Sequence, residues 1–173
     1  LVKDIRPGPN VSAIDKLTPA GSSVFFIAND GITGLELWKS DGTAAGTVLV
    51  KDILPGAGGS MAAVGFAPEL LFVNGTLYFI ADDGVSGREL WKSDGTAAGT
   101  MRVKAFNLGT LSSDPRDLTT VGDRLFFTAD TGTTVGVVPT SEGPSGRTAG
   151  KPRRGSPKFR SATTPRETSA RTA

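Results

Sequence analysis

Twelve consecutive residues, ELWKSDGTAAGT, occur twice without change in this chain, at 36–47 and again at 89–100. The two copies begin 53 residues apart. A catalytic site seldom needs a second copy, whereas a structural unit that repeats along a chain does. The duplication therefore favours folds that are built from repeated units.

Shorter phrases on both sides of the duplicated stretch also recur. VKDI at 2–5 returns at 50–53, and FIANDG at 26–31 returns as FIADDG at 79–84. A third copy occupies 118–130, at a spacing of 48 from the second. The period is thus about fifty residues, which is typical of propeller blades and of large helical repeats. The extra residues between the first two copies lie in the Gly/Ala-rich stretch 56–68, which predicts a longer loop.

The types of residue in the repeat favour propeller blades over helical repeats. Valine and aromatic residues dominate short apolar runs that are bounded by Gly, Asp, Asn or Pro, and helical spacing is nowhere sustained over three turns. Each unit is therefore predicted to hold four short strands. In the second unit these are Leu70–Val73, Leu77–Ala81, Arg88–Ser93 and Thr100–Lys104. Asn74-Gly75 predicts a two-residue hairpin between the first two, and Gly122-Asp123 takes its place in the third copy.

The second strand of each unit is apolar at nearly every position, as in Val24–Ala28, Leu77–Ala81 and Leu125–Ala129. A sheet with one wet face would alternate instead, so both faces of this strand are predicted to be covered. The outer strand, Met101–Lys104, is predicted to alternate. The predicted fold class is all-β: a partial β-propeller of about 2.5 four-stranded blades, followed by a disordered C-terminal tail.

The repeated phrase resembles a known family. Glu-Leu-Trp-x-x-Asp-Gly-Thr, preceded by Ala-Asp-Asp-Gly-x-x-Gly and followed by Gly-Thr-x-x-Val-Lys-Asp-Ile, is similar to the ELWxxDGT-repeat family of bacterial proteins, over roughly residues 1–130. The resemblance implies secreted or cell-surface proteins with arrays of a propeller-like unit and no established catalytic residues. The structural positions of the motif are Glu36, Leu37, Trp38, Asp41, Gly42, Thr43, Glu89, Leu90, Trp91, Asp94, Gly95 and Thr96.

The repeat divides the chain into five segments. They are the last strand of a truncated repeat with its connecting loop (1–16), a first repeat with a long loop (17–69), a second repeat (70–117), an incomplete third repeat (118–138) and a basic low-complexity tail (139–173). Because the chain opens on the last strand of a repeat, we expect it to be a piece of a longer array. Such a piece is expected to be marginally stable or self-associating.

The tail differs in charge from the rest of the chain. Residues 1–130 have a net charge of −4 and residues 131–173 a net charge of +6. The tail is either a frame-shifted continuation of the third repeat or a genuine disordered segment. Its basic residues have almost no aromatic residues between them, so we expect a solvated segment and no nucleic-acid site. They include Arg147, Lys151, Arg153, Arg154, Lys158 and Arg160.

Several classes of function are excluded by composition. The chain has no Cys and no His, which excludes thiol nucleophiles, Ser-His-Asp arrangements and the commonest zinc ligands. No window approaches eighteen uninterrupted apolar residues, so no membrane span is predicted.

Four aspartates precede a glycine, as in turns: Asp30, Asp41, Asp83 and Asp94. Aspartate hydrogen-bonds to nearby backbone and glycine adopts positive φ, so turn geometry is the main interpretation. The loops Asn29-Asp30-Gly31 and Asp82-Asp83-Gly84 are also candidates for Ca²⁺, although the spacing of an EF-hand is absent. Trp38 and Trp91 are predicted to pack between blades.

Glu36 and Glu89 could supply a carboxylate pair for glycoside hydrolysis. Their recurrence in each copy favours a structural hydrogen bond or a link between blades. The hydroxyls of Ser40-Asp41-Gly42-Thr43 are predicted to hold a turn through the backbone.

The predicted function is that of a non-enzymatic β-propeller-type scaffold for extracellular interaction or adhesion. Its partners would be neighbouring repeats, a second copy, or an extracellular protein or glycan held by loops between blades. Two alternatives stay open: a carboxylate-based hydrolase at the mouth of a propeller, and a degenerate fragment without a function of its own.

Overall fold

The structure is a computed structural model, and it describes residues 1–61, 69–103, 112–122 and 124–130, with the backbone of 137–139. The described residues form strands and turns and no helix. The strands are β1 Asp15–Ala20, β2 Ser23–Asn29, β3 Leu35–Ser40, β4 Val48–Lys51, β5 Leu70–Val73, β6 Thr76–Asp82, β7 Arg88–Ser93, β8 Met101–Arg102, β9 Arg116–Val121, β10 Arg124–Thr128 and β11 Val137–Pro139. The all-β prediction is confirmed.

The strands form three antiparallel sheets. In the first sheet the order is β1-β2-β3-β4, in the second β5-β6-β7-β8, and in the third β11-β10-β9, so hydrogen-bonded neighbours follow one another in sequence. The register repeats as well, because Phe26 pairs with Trp38 in the first sheet and Phe79 pairs with Trp91 in the second. The first two sheets therefore share their strand order and their register.

Three of the four strands predicted for the second unit are confirmed within one residue at each end, and the fourth is shorter than predicted. β8 ends at Arg102, although the N–H of Val103 still donates to Leu90 O at 2.8 Å. In the first sheet a bulge falls at the corresponding place, between the pairs Trp38–Leu49 and Leu37–Lys51. A bulge at this place breaks the alternation of faces in the first sheet. The predicted alternation over Met101–Lys104 stays a prediction, because only two of these residues lie in β8. Lys104 lies outside the described residues.

Tight turns connect the first two strands of each sheet. Asn74 and Gly75 have φ of 49° and 77°, and Val73 pairs directly with Thr76. This confirms the predicted two-residue hairpin, because the mirror-image turn that suits twisted strands needs positive φ at both central residues. Gly122 has φ of 59° in the third sheet, and its partner Asp123 lies outside the described residues.

β2 and β6 are buried on both faces, as predicted. For β10 the prediction is wrong: Leu125 and Phe127 are buried, but Phe126 on the other face is only half-buried, because no sheet of the described residues packs on that face. Side chains at alternate positions of β2 enter different cores: Phe25 and Ile27 pack toward the second sheet, whereas Phe26 and Ala28 pack on the opposite face. The core between the first and second sheets contains Phe25, Ile27, Leu37, Val50, Ile53, Met61, Leu77, Phe79, Ala81 and Trp91. The core between the second and third sheets contains Tyr78, Leu90, Leu125 and Phe127, with Leu71, Val73, Val103, Leu118 and Ala129 at its margin.

The N-terminal segment packs on the first sheet in the way that the end of the first unit packs on the second. Ile5 contacts the cluster of Phe26, Ala28 and Trp38, and Ile53 belongs to the core that holds the corresponding Phe79, Ala81 and Trp91. Lys3 Nζ donates to Thr47 O at 2.7 Å, and Lys51 Nζ donates to Thr100 O at 2.9 Å. The packing between units thus follows the sequence period.

Backbone strain also follows the period. Ala13 and Asp114 have φ of 47° and 38°, and Lys16 and Asp117 have φ of 57° and 58°. Each pair is 101 residues apart, which is the separation of the first and third copies. Side chains other than glycine rarely adopt this region, so the equivalence of β1 and β9 extends to an uncommon backbone conformation.

Two predictions concern segments that are only partly described. The predicted loop at 56–68 is described to residue 61, and no strand forms over 56–61. Ser60 and Met61 of this segment are buried between the sheets. In the C-terminal segment, β11 pairs with β10 through Arg124–Pro139, Leu125–Val138 and Phe126–Val137. The remainder of the predicted disordered tail, 140–173, lies outside the described residues.

Candidate functional site: the repeated junction between sheets

The junction is centred on the third strand of each sheet, where the Glu-Leu-Trp phrase lies. Along β3, Leu37 enters the core shared with the second sheet, and Trp38 enters the core on the other face. Glu36 is completely buried, which is unusual for a carboxylate without partners.

The partners of Glu36 come from the segment that leads to the second sheet. Oε1 accepts hydrogen bonds from Ser60 N at 2.8 Å and Leu54 N at 3.2 Å, and Oε2 accepts one from Ser60 Oγ at 2.6 Å. Burial raises the pKa of Glu36, and the donors of Ser60 and Leu54 oppose that shift. A buried carboxylate is stable only with several donors, and these donors fix the connecting segment against β3.

The contact between the glutamate and a serine hydroxyl recurs in the second unit. Glu89 Oε2 accepts a hydrogen bond from Ser113 Oγ at 2.7 Å, again from a serine 24 residues further along the chain. Ser113 N donates to Arg88 O at 3.1 Å. Arg88 Nε lies 3.2 Å from Asp114 Oδ1, which adds an ion pair beside the junction.

The serine also links the connecting segment to the next sheet. Ser60 O accepts a hydrogen bond from Asp82 N at 3.0 Å, and Ser113 O accepts one from Asp130 N at 2.7 Å. Ser12 O accepts the corresponding bond from Asn29 N at 2.7 Å. None of these three serines was predicted from the sequence as a contact residue. Their spacings of 48 and 53 were the available signal, but single serines in otherwise dissimilar loops are inconspicuous.

The second half of the duplicated stretch forms a closed turn. Asp41 Oδ1 accepts from Thr43 N at 2.9 Å and from Thr43 Oγ1 at 2.8 Å, and Thr47 Oγ1 donates to Thr43 O at 2.7 Å. In the second copy the bonds of Asp94 to Thr96 measure 2.9 and 2.7 Å. The predicted role of these side chains, to hold a turn through the backbone, is confirmed.

Lysines connect these turns to the neighbouring sheet. Lys39 Nζ of the first sheet donates to Gly95 O in the turn of the second sheet, at 2.5 Å. Lys51 Nζ bonds to Thr100 O and also lies 5.8 Å from the centre of the Trp91 ring. Two adjacent sheets are thus joined by a carboxylate on one strand and by ammonium groups on two strands.

The two tryptophans occupy equivalent positions with different polar contacts. Trp91 packs in the core between the first two sheets, and its Nε1 donates to Ala81 O at 3.1 Å. Trp38 packs with Phe26 and Ile5, and its buried Nε1 has no hydrogen-bond partner in the described part of the chain.

The loops considered for Ca²⁺ are held by their own backbone. Asp30 Oδ1 accepts from Ile32 N and Thr33 N, both at 2.8 Å, and Asp83 Oδ1 accepts from Val85 N and Ser86 N at 3.0 and 2.7 Å. Burial opposes the effect, but these donors lower the pKa of Asp30 and of Asp83. Within residues 1–61, 69–103, 112–122 and 124–130, no group of three acidic side chains that could hold a metal ion was found.

The two glutamates considered as a carboxylate pair are bound by different connecting segments. Glu36 binds Ser60 and Glu89 binds Ser113, so each carboxylate lies at a different junction between sheets. A general base needs an oxygen that can reach a substrate, whereas both oxygens of Glu36 already accept hydrogen bonds from the protein. The basic side chains of the predicted tail, from Arg147 onward, lie outside the described residues.

The described part of the chain contains no helix of the length and apolarity needed to cross a lipid bilayer. Comparison with protein-family models, with curated proteins and with solved structures gave no match to this chain.

Proposed function

We propose that this chain is a non-enzymatic scaffold of the β-propeller type, in which each sheet acts as one blade and the array serves interaction or adhesion outside the cell. The observation that carries the proposal is the use of Glu36: its two oxygens bind the segment that leads to the next sheet. The duplicated stretch therefore joins one unit to another, which is the work of a scaffold.

The arrangement of the sheets supports the comparison with propeller blades. Each sheet is antiparallel with its strands in sequential order, and the first two hold four strands. The sheets pack face to face, and the first strands lie side by side, β1 beside β5 and β5 beside β9. Blades around an axis have this arrangement. Placement at the cell surface follows the resemblance to the ELWxxDGT-repeat family.

A binding surface is available on the turns between the second and third strands. Ile32 is 76% exposed and Val85 is 69% exposed, and the two residues hold the same position in successive units. Exposed apolar side chains that recur at one position offer a multivalent surface. An extracellular protein or a glycan is the kind of partner that we propose for it.

The variants Glu36→Gln and Glu89→Gln test whether the chain is a scaffold or a hydrolase. A scaffold should lose several degrees of melting temperature and should show no turnover of a panel of chromogenic glycosides before or after the change. A hydrolase that uses these carboxylates should lose turnover and stay folded. Wild-type turnover that disappears in both variants without a change in melting temperature would contradict the proposal. Asp4→Asn, at an exposed carboxylate in the N-terminal segment, is the matched control.

A further inference from the structure

The second and third sheets each pack one face against the sheet that precedes them in the chain. The first sheet has the same face, but no sheet of the described residues precedes it. Leu70 of the second sheet packs on the core between the first two sheets, and Leu118 of the third sheet packs on the next core. The corresponding residue of the first sheet, Leu17, is 66% exposed. Ile5 covers the side of this face near Trp38, so the open part is the side formed by β1.

The third sheet has the complementary open face. Ala20 packs on the core that follows the first sheet, and Val73 packs on the core that follows the second. The residue in the same place on the third sheet, Val121, is 65% exposed. Phe126, which corresponds to the buried Phe25, is only half-buried. The contact between neighbouring sheets occurs twice in the described structure, once between the first and second sheets and once between the second and third. The first sheet exposes one side of such a contact, and the third sheet exposes the other side.

Charge complements this apolar match. Between the second and third sheets, Glu69 Oε1 and Oε2 accept hydrogen bonds from Asp117 N at 3.2 Å and Leu118 N at 2.8 Å. On the third sheet the residue equivalent to Glu69 is Asp117, an exposed carboxylate. On the first sheet the residue equivalent to Asp117 is Lys16, which has the same left-handed backbone and carries a positive charge. A contact between these ends would bring Asp117 to Lys16.

We propose that a second copy of this chain docks head to tail, with its first sheet on the third sheet of its neighbour. β1 of one copy would then lie beside β9 of the other, as β1 lies beside β5 within the chain. The inference rests on the proposed scaffold function and names one partner for it. Because the two surfaces differ, the contact is heterologous and leaves one free surface of each kind on a pair. The assembly can therefore grow or close into a ring.

Sedimentation velocity of the full chain over a micromolar to millimolar range tests the proposal. The wild type should increase in mass with concentration. Leu17→Asp and Val121→Asp should each weaken association by about tenfold or more, since each places a carboxylate in an apolar contact. A mixture of the two variants should form a one-to-one pair and no larger species, because each variant supplies the surface that the other lacks.

The charged contact gives a second test. Lys16→Asp should weaken association by about tenfold, and Lys16→Asp combined with Asp117→Lys should restore it. Met101→Asp changes an exposed apolar side chain on β8 of the second sheet, which belongs to neither face, and should leave association unchanged. Circular dichroism establishes that each variant is folded.

Three results would overturn the inference: a wild type that is monomeric throughout, single variants that associate like the wild type, or a mixture that forms no pair. None of these depends on the effect of Glu36→Gln on melting temperature or on glycoside turnover. A monomeric wild type, together with a destabilised Glu36→Gln variant and no glycoside turnover by either protein, would reject head-to-tail docking and leave the scaffold function in place.

Discussion

Glu36 and Ser60 are 24 residues apart in the chain and meet between two sheets, with Glu36 Oε2 at 2.6 Å from Ser60 Oγ. Glu89 and Ser113 repeat the contact at the same separation, at 2.7 Å. Because the glutamate belongs to one sheet and the serine leads to the next, this pair couples neighbouring units.

Removing either partner should destabilise the protein, and removing both should cost less than the sum. Glu36→Ala leaves the donors of Ser60 and Leu54 unsatisfied in a buried place, so we expect a loss of about 3 kcal/mol in the free energy of unfolding. Ser60→Ala should cost about 2 kcal/mol. Urea unfolding of both variants and of the double variant measures the coupling. Asp4→Ala, at an exposed site, should change the free energy by less than about 0.5 kcal/mol.

The contribution of Glu36 should depend on pH in a defined direction. Burial raises the pKa of this carboxyl above its usual value of 4.5, so the folded state holds the proton more tightly than the unfolded state. The resulting stabilisation is complete below about pH 4.5 and is lost as pH rises through the folded pKa. From acid to neutral pH, the wild type should therefore lose unfolding free energy relative to Glu36→Gln, which has no carboxyl at this position. A wild type that gains stability relative to Glu36→Gln as pH rises would contradict a raised pKa of Glu36. Both proteins contain the same aspartates, so the titration of those groups cancels from the comparison.

The glycine near the end of each duplicated stretch should be coupled to the aspartate of its turn. A Cβ at Gly99 would overlap the carboxylate of Asp94, which the hydrogen bonds of Thr96 hold in place. Gly99→Ala should lower the unfolding free energy by about 2 kcal/mol, and by clearly less when Asp94→Ala is also present. Thermal unfolding gives both values. Equal costs in the two backgrounds would show that no such overlap exists. The exposed Ala98→Ser change is the control.

Two glycines with positive φ should respond differently to alanine. Gly59 has φ of 71°, and an added Cβ would lie 2.6 Å from Leu35 O and 2.8 Å from the backbone of Gly34. Gly21 has φ of 65° and no atom within 4 Å of an added Cβ. Gly21→Ala should cost about 1 kcal/mol, from backbone strain alone. Gly59→Ala should cost about 4 kcal/mol or prevent folding, since backbone cannot move aside as a flexible side chain does. Similar costs at both positions would mean that the segment before Ser60 does not pack on β3.

Local pattern was sufficient to predict the strands and several of their turns. β5 and β7 have the predicted bounds, and the Asn74-Gly75 hairpin has the predicted backbone. The sequence determines these features because turn chemistry and the alternation of apolar residues act within a few positions. The apolar second strands predicted burial on both faces, which holds for β2 and β6 and not for β10.

Only the tertiary structure decided which residues meet between units. The repeated pattern predicted a structural role for Glu36, but its partner Ser60 lies within the stretch 56–68, for which the sequence predicted only a longer loop. Leu17, Leu70 and Leu118 hold the same position in the three units, yet Leu17 is exposed whereas Leu70 and Leu118 pack on a core between sheets. The physical reason is that burial depends on the neighbouring sheet and not on the strand itself. Identical local patterns therefore have different surroundings in the middle and at the ends of the described fold.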